Sequence, residues 1–443
     1  MRHACSHFVL VSALLIAAAD AAQANDPLRG SQATSPAVPR NENGTWPKLL
    51  SEARAFTNLK TLQATGGLIP YDLNVPFWSD GAFKRRWIVL PAERKISFSP
   101  RGEWRFPSGT IFVKQFEMPR DEGEPQSKRR LETRFLVVNE TGGVFGATYK
   151  WRADESDAEL LQTNLTEAIA IKTAAGVRTQ NWYYPNRADC LTCHTPNAVG
   201  VLGVNARQLN REFNYPDGSE NQLRHWGRFD VFDHRLTKAE VADAPKLARS
   251  DDAKASLEER ARSWLDANCL HCHRPGGTVA AFDARYEIPL AAQSLIGAPV
   301  LIDQGIDGAR VIAPNDIWRS ILFMRVNTVE PFKMPPLAHE TIDHDGVELL
   351  KAWIQSLPGT TALEPPTIQT RGGEYQKRVL VNLAHPDAQA TLRYTLDGSV
   401  PGKSALVYTK PIELTESATL RVKAFKDGFT KSITAQETFV ITE

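Results

Sequence analysis

The 443-residue sequence is poor in cysteine, in methionine and in net charge. It holds five cysteines and four methionines, and 52 Lys and Arg against 51 Asp and Glu leave a formal charge of +1. No Lys/Arg block is long enough to track a phosphate backbone, which speaks against nucleic acid as a partner. Paired catalytic carboxylates, a nucleophile elbow and a phosphate-binding loop are also missing. Apolar runs are short: the run from Phe8 to Ala19 falls below the roughly 18 to 20 residues of a spanning helix, and no later segment approaches that length. Stable membrane insertion is therefore not expected. Arg2 and His3 precede this run, and Ala22, Gln23 and Ala24 follow it with small residues at the minus-three and minus-one positions, so residues 1–24 read as a cleaved export signal rather than an anchor. Cys5 lies before the apolar core and away from the cleavage point, which argues against a lipid-anchored cysteine. The mature chain is expected to be periplasmic or secreted.

The other four cysteines fall into two short motifs of one kind. Cys190 and Cys193 are followed by His194, and Cys269 and Cys272 are followed by His273. Thiols three residues apart share one side of a helical turn, so both can form thioethers with one porphyrin while the adjoining histidine faces the iron. This is the c-type haem attachment pattern, and two covalently bound haem c groups are expected. An oxidising compartment would also allow each pair to close as a disulfide, and four cysteines can hold zinc. Histidine stands in the next position in both copies, however, and 75 residues separate the pairs, far more than the usual zinc spacing of about 15 to 20.

Size suggests about three domains. After a polar leader, residues 25–45, the region 46–185 breaks into short strand-like runs: Arg86 to Leu90, Thr110 to Phe116, Thr133 to Val138 and Gly146 to Trp151. A β-sandwich-like domain is expected there, with Tyr71, Phe77, Trp78, Phe83, Trp87, Trp104 and Phe106 filling its core rather than forming a ligand platform, and Arg120 to Arg130 as an exposed hairpin loop. In the first haem-binding segment, 186–254, Val199 to Phe213 and Ser219 to Phe232 read as helical. Arg187 could pair with a haem propionate or simply pack at a strand end.

From Ser256 the pattern sharpens. Ser256 and Glu259 form a capping box; Leu257, Ala261, Trp264 and Leu265 form one apolar helix face leading to Cys269. A short helix near Asp316 to Val326, the loop Lys333-Met334-Pro335-Pro336 and a closing helix with Val347, Leu350, Ile354 and Leu357 complete the run. In this order of elements, residues 255–358 resemble a class I cytochrome c domain. The resemblance implies His273 as proximal and Met334 as distal iron ligand, 61 residues apart, a pairing that raises the reduction potential relative to nitrogen-only ligation; a packed core methionine is the alternative for Met334. The wider region 46–358 resembles exported bacterial proteins of two-haem type through Pro76 to Gly81, Phe106 to Thr110 and Trp182 to His194. For the first haem no methionine lies between His194 and Cys269, so the distal ligand would be His225 or His234, with His225 favoured, or Met118 or Met324 from elsewhere. An open position would let the iron bind peroxide or oxygen, and Glu132 or Asp189 could then act as acid or base.

Beyond the linker at Pro358, alternation returns in Leu392 to Leu396, Leu420 to Phe425 and Thr438 to Ile441. With Tyr394, Thr395, Asp397, Gly398, Ser399, Pro401, Tyr408 and Pro411, residues 366–443 resemble the small β-sandwich at the end of chitobiases and hexosaminidases, although Gly402 replaces a small hydroxyl residue. The fold class expected is thus multidomain α+β: an N-terminal β-sandwich-like domain, a mainly helical di-haem cytochrome c region and a C-terminal β-sandwich. The function expected is single-electron transfer between periplasmic redox partner proteins. The alternatives are a di-haem peroxidase- or oxygenase-type enzyme with an open first haem, and a carbohydrate-associated redox accessory module.

Overall fold

A computed structural model describes residues 35–216, 218–278 and 282–443, so the expected export signal lies outside the described residues. The chain forms two compact units: Met1–Arg249 with Leu270–Gly277, and Ser250–Cys269 with Thr278–Glu443.

The first unit is built on one antiparallel sheet whose strands lie in sequence order: β1 (Ile69–Tyr71), β2 (Phe83–Val89), β3 (Ile111–Pro119), β4 (Lys128–Val138), β5 (Val144–Trp151) and β6 (Ala158–Leu160). Alternation with period two sends Ile88, Phe112 and Leu136 to one face and Trp87, Val113 and Phe135 to the other. Each face finds a different cover. Val38, Trp46, Leu50 and Leu62 close the second face, so part of the segment read as a flexible leader is ordered, with Val38 in the core. The first face is closed by Leu209, Trp226, Phe232 and Val241. Further along that same face, the hairpin of β7 (Leu165–Thr173) and β8 (Gly176–Tyr184) adds Ile169, Ile171, Trp182 and Tyr184 around Phe116 and Met118. The expected N-terminal sandwich is therefore one six-stranded sheet covered by loops, short helices and a hairpin. The exposed loop expected from Arg120 to Arg130 is shorter, because β4 begins at Lys128.

The expected mainly helical haem region is corrected as well. Among the described residues strand outweighs helix, 31% against 15%. Val199 to Phe213 contributes only the four-residue helix α2 (Ala206–Leu209), after the equally short α1 (Arg187–Cys190). The next stretch turns back as a hairpin of β9 (Glu212–Tyr215) and β10 (Gly218–Asn221) before α3 (Gln222–Arg228) and α4 (Lys238–Asp243). Apolar spacing there satisfies either period over so few residues, and the hairpin gains backbone bonds that a lone helical turn leaves open.

In the second unit, α5 (Leu257–Cys269) carries the expected cap: the Ser256 hydroxyl accepts from Glu259 N–H at 3.2 Å, and the Glu259 carboxylate accepts from Ser256 N–H at 2.8 Å. Ala261, Trp264 and Leu265 pack with Val347, Leu350, Trp353 and Ile354 of the closing helix, where α6 (Ile321–Val326) also contributes Leu322 and Phe323. This closing helix, α7 (His344–Ser356), crosses α5 at Gly346. A Cβ on Gly346 would lie 2.3 Å from Trp264 Nε1, and that indole donates to Asp343 Oδ2 at 2.8 Å. The chain ends in a small sandwich. Its five-stranded sheet runs β11 (Gly373–Gln376), β15 (Ala435–Thr442), β14 (Ala418–Phe425), β12 (Thr391–Thr395) and β13 (Leu406–Val407), in that spatial order. Leu392, Leu420, Val422 and Phe439 of this sheet pack on Val379, Val381, Ile412 and Leu414 of a second ladder. No described helix is long and apolar enough to cross a membrane.

Candidate functional site

The first attachment motif starts on α1, which Asn186 opens. Its side chain accepts from Ala188 N–H at 2.8 Å and Asp189 N–H at 3.0 Å. Asp189 completes the box by accepting from Asn186 N–H at 2.9 Å and from Tyr183 at 2.7 Å. Its carboxylate is thus engaged in capping. The helical turn continues through the motif, with His194 N–H donating to Cys190 O at 3.0 Å, which sets both thiols and the imidazole on one short turn.

Past the motif, the Thr195 hydroxyl caps the turn Pro196–Ala198, and Val199 and Gly200 take φ of 62° and 75°. This reversal returns the Gly200 carbonyl to His194 Nδ1 at 2.6 Å. A carbonyl can only accept, so Nδ1 carries the proton and Nε2 keeps its lone pair, the form an iron requires. Burial lowers the imidazole to about 4, and the ring is neutral near pH 7. None of the four motif cysteines is joined in a disulfide. A thiol pair outside any disulfide, beside an imidazole fixed with Nε2 available, fits covalent haem at this position.

The second copy begins where α5 ends, and its residues Leu270–Gly277 belong to the first unit. There the copies meet. The Cys193 and Cys272 side chains are in hydrogen-bonding contact, and Asn197 Nδ2 donates to the Gly276 carbonyl. The contact moves the two thiols in opposite directions: Cys272, hydrogen-bonded to Cys193 and His271, is pushed down, and the same bond, with burial, pushes Cys193 up. His271 is 6% exposed and packs edge-on to Phe77 at 5.4 Å. Sequence reasoning missed this residue because it fills a spacer position of the motif; its buried aromatic partner was the absent signal.

The other nitrogen candidates are held elsewhere. His225 is stacked on Tyr215 at 3.5 Å, meets Phe229 at 5.2 Å and turns Nδ1 toward Glu220 at 3.2 Å. His234 is gripped on both nitrogens, by Asp233 and Glu240 at 3.0 Å each. Arg187 is exposed, with its guanidinium 5.8 Å from the Trp46 ring centre. In the second unit the Met334 N–H donates to Arg325 O at 2.8 Å, and the Met334 side chain is half-buried. His339, 2% exposed, lies against the Met334 backbone.

The C-terminal sandwich is docked within its unit rather than hung on a free linker. Lys423 Nζ donates to Asp307 at 2.6 Å. Arg319 donates to the Lys431 and Ser432 carbonyls at 3.1 Å, and Ile433 packs beside Ile306, Ala309 and Ile321.

Comparison with known proteins places one segment. No curated protein and no solved structure matches the chain. Residues 370–436 match the family model of the chitobiase/beta-hexosaminidase C-terminal domain, as their strands and core imply.

Proposed function

We propose that this chain is an exported di-haem c-type protein that transfers single electrons between redox partner proteins. The observation that carries the reading is the contact between Cys193 and Cys272. It puts one tethering sulfur of each attachment motif against the other, within one folded unit. Bound haem would supply a one-electron iron couple at each motif. The chain's part is to tether through Cys190, Cys193, Cys269 and Cys272, to ligate through His194 and His273, and to tune each couple through the second axial group. Met334 remains the second ligand proposed for the His273 iron, on the cytochrome resemblance. For the His194 iron, His271 replaces His225, because His271 is a buried imidazole carried on the second motif, whose Cys272 meets Cys193, while His225 is engaged with Tyr215, Phe229 and Glu220.

A peroxidase-type enzyme is the second reading, favoured by the engagement of both His225 and His234 away from the motif. If His271 also fails to ligate, the first iron is open. The C-terminal module supports a carbohydrate-related setting, with sugar contact as an added role.

Optical and paramagnetic-resonance spectra of the purified protein separate these readings. Electron transfer requires two haems by mass and two low-spin signals. His271→Ala should convert only the first haem to high spin, Met334→Ala should alter only the second, and His225→Ala should alter neither. A high-spin haem in the unmodified protein that responds to peroxide would establish the enzyme reading instead. A mass lacking two haems would remove both.

A further inference from the structure

The sheet face that carries the Ile88 and Phe116 clusters is interrupted by a polar strip. Arg86 of β2, Lys114 of β3, Arg134 of β4 and Thr148 of β5 are directly opposed across four adjacent strands. Alternation places them on one face, with Ile88, Phe112 and Leu136 on one side of the strip and Phe116 on the other. Like charges on directly opposed strand positions repel.

The available carboxylates do not balance the strip. Asp72 accepts from Arg86 at 2.8 Å but also from Arg211 at 3.0 Å. Glu132, fully buried, accepts from Arg134 with one oxygen. Lys114 has no ion-pair partner among the described residues; its Nζ lies over the Phe116 ring at 4.9 Å. Burial first, then Arg86, Lys84 and Arg134, push its ammonium well below the usual lysine range. Arg134 Nε and Thr148 Oγ1 are also buried without hydrogen-bond partners. Buried donors left unpaired are costly, about 1–3 kcal/mol each, so neighbouring orphans on one strip point to a missing acceptor.

The strip also lies in the electrostatic field of the first motif. Arg134 interacts with Cys190 and Cys193, and both Lys114 and Arg134 interact with His194. We propose that Lys114, Arg134 and Thr148 form the seat for the propionate carboxylates of the haem tethered at Cys190 and Cys193. Carboxylate suits a guanidinium, an ammonium and a hydroxyl together, whereas Arg187 faces Trp46. The seat rests on the di-haem reading above. One group competes: Glu132 Oε2 is likewise unpaired, and Lys114 could swing to it.

Lys114→Met, Lys114→Arg and Thr148→Val in the haem-loaded protein test the seat by redox titration. Removing a cation beside a haem favours the oxidised iron, so Lys114→Met should lower one midpoint potential by the equivalent of about tenfold in its equilibrium, 59 mV for one electron. Lys114→Arg should restore it, and Thr148→Val, which leaves the charge intact, should give a smaller shift in the same direction. Two haems by mass with potentials unmoved in Lys114→Met would overturn the seat alone, as expected if Lys114 serves Glu132. A wild-type potential that moves with added inorganic phosphate would also overturn it, because a free anion would then fill the strip. Loss of both haems from the unmodified protein would overturn the di-haem reading as well.

Discussion

His194 Nδ1 donates to the carbonyl oxygen of Gly200 at 2.6 Å, across a turn in which Val199 and Gly200 both adopt positive φ. This bond separates His194 from His225 and His234. His234 spends both nitrogens on carboxylates and His225 turns Nδ1 to Glu220, while His194 uses one nitrogen on the backbone and keeps the other as a base. A hydrogen bond from a histidine's other nitrogen to a carbonyl sets ligand tautomer and ring orientation in metal centres.

Gly200→Ala tests that turn. At φ of 75° an added Cβ is strained, and it would approach Val144 Cγ1 at 3.2 Å and the Gly142 carbonyl at 3.3 Å. A residue forced into this region costs about 1–3 kcal/mol. The variant should melt at lower temperature and, on the proposed di-haem reading, show changed g-values at the first haem, because the carbonyl that orients His194 is displaced. A full-length variant with unaltered melting and unaltered resonance would show that the turn does not position the ligand.

Legibility from sequence followed the strength of local signals. The Ser256/Glu259 cap was readable as a local pair, the apolar faces of α5 and α7 because each repeats over more than three turns, and the C-terminal strands because their alternation is regular. The hairpin Glu212–Asn221 was not, since four-residue strands have too few positions to separate a period of two from 3.6. The approach of Cys272 to Cys193 was also out of reach: it depends on residues 270–277 joining a unit whose other residues precede position 250. Likewise, the opposition of Arg86, Lys114 and Arg134 comes from strand register, which pairs residues 20 to 28 positions apart.

His234 provides a pH-sensitive contact far from the motifs in sequence. Its hydrogen bonds to Asp233 and Glu240 raise the imidazole above 6.5. The folded protein therefore holds this proton more tightly than the unfolded chain. The contribution is fully present below the unfolded value, and it is lost as pH rises through the raised folded value. Because the side chain is 47% exposed, solvent screening keeps the effect small. A proton-resonance titration should give a midpoint above 6.5 that falls on Glu240→Gln; a midpoint at or below 6.5 would show the bridge absent in solution.

The docking of the C-terminal sandwich should be asymmetric in its two partners. The Lys423 side chain is fully buried, whereas Asp307 is 39% exposed. Asp307→Ala strands a buried ammonium and should cost about 3 kcal/mol by denaturant unfolding, while Lys423→Met leaves a carboxylate that water can reach and should cost less than about 1 kcal/mol. Burial lowers the Lys423 ammonium and Asp307 opposes that shift. Without Asp307 the folded state binds this proton still less well than the unfolded chain, so Asp307→Ala should recover stability as pH rises toward 10.5. Equal losses in the two variants, with no pH trend, would mean the pair does not carry the docking.

The crossing of α5 and α7 depends on the smallness of residue 346. Trp264 Nε1 donates to Asp343 Oδ2, the residue that also caps α7 by accepting from Gly346 N–H at 3.1 Å. One carboxylate thus starts the second helix and anchors the first. A methyl at position 346 would fall 2.3 Å from Trp264 Nε1 and 2.5 Å from Asp343 Oδ2, so Gly346→Ala must part the helices or expel the indole. Alanine's better helix propensity returns up to about 1 kcal/mol, against roughly 1–3 kcal/mol for overpacking and about 1 kcal/mol for the lost indole bond. The net loss should appear as a lower denaturation midpoint and a red-shifted, more quenchable Trp264 fluorescence. Trp264→Phe in the same background should recover part of the stability, because it removes the atom that the methyl strikes. Recovery without the Gly346→Ala loss, or a stabilised Gly346→Ala protein, would contradict this packing.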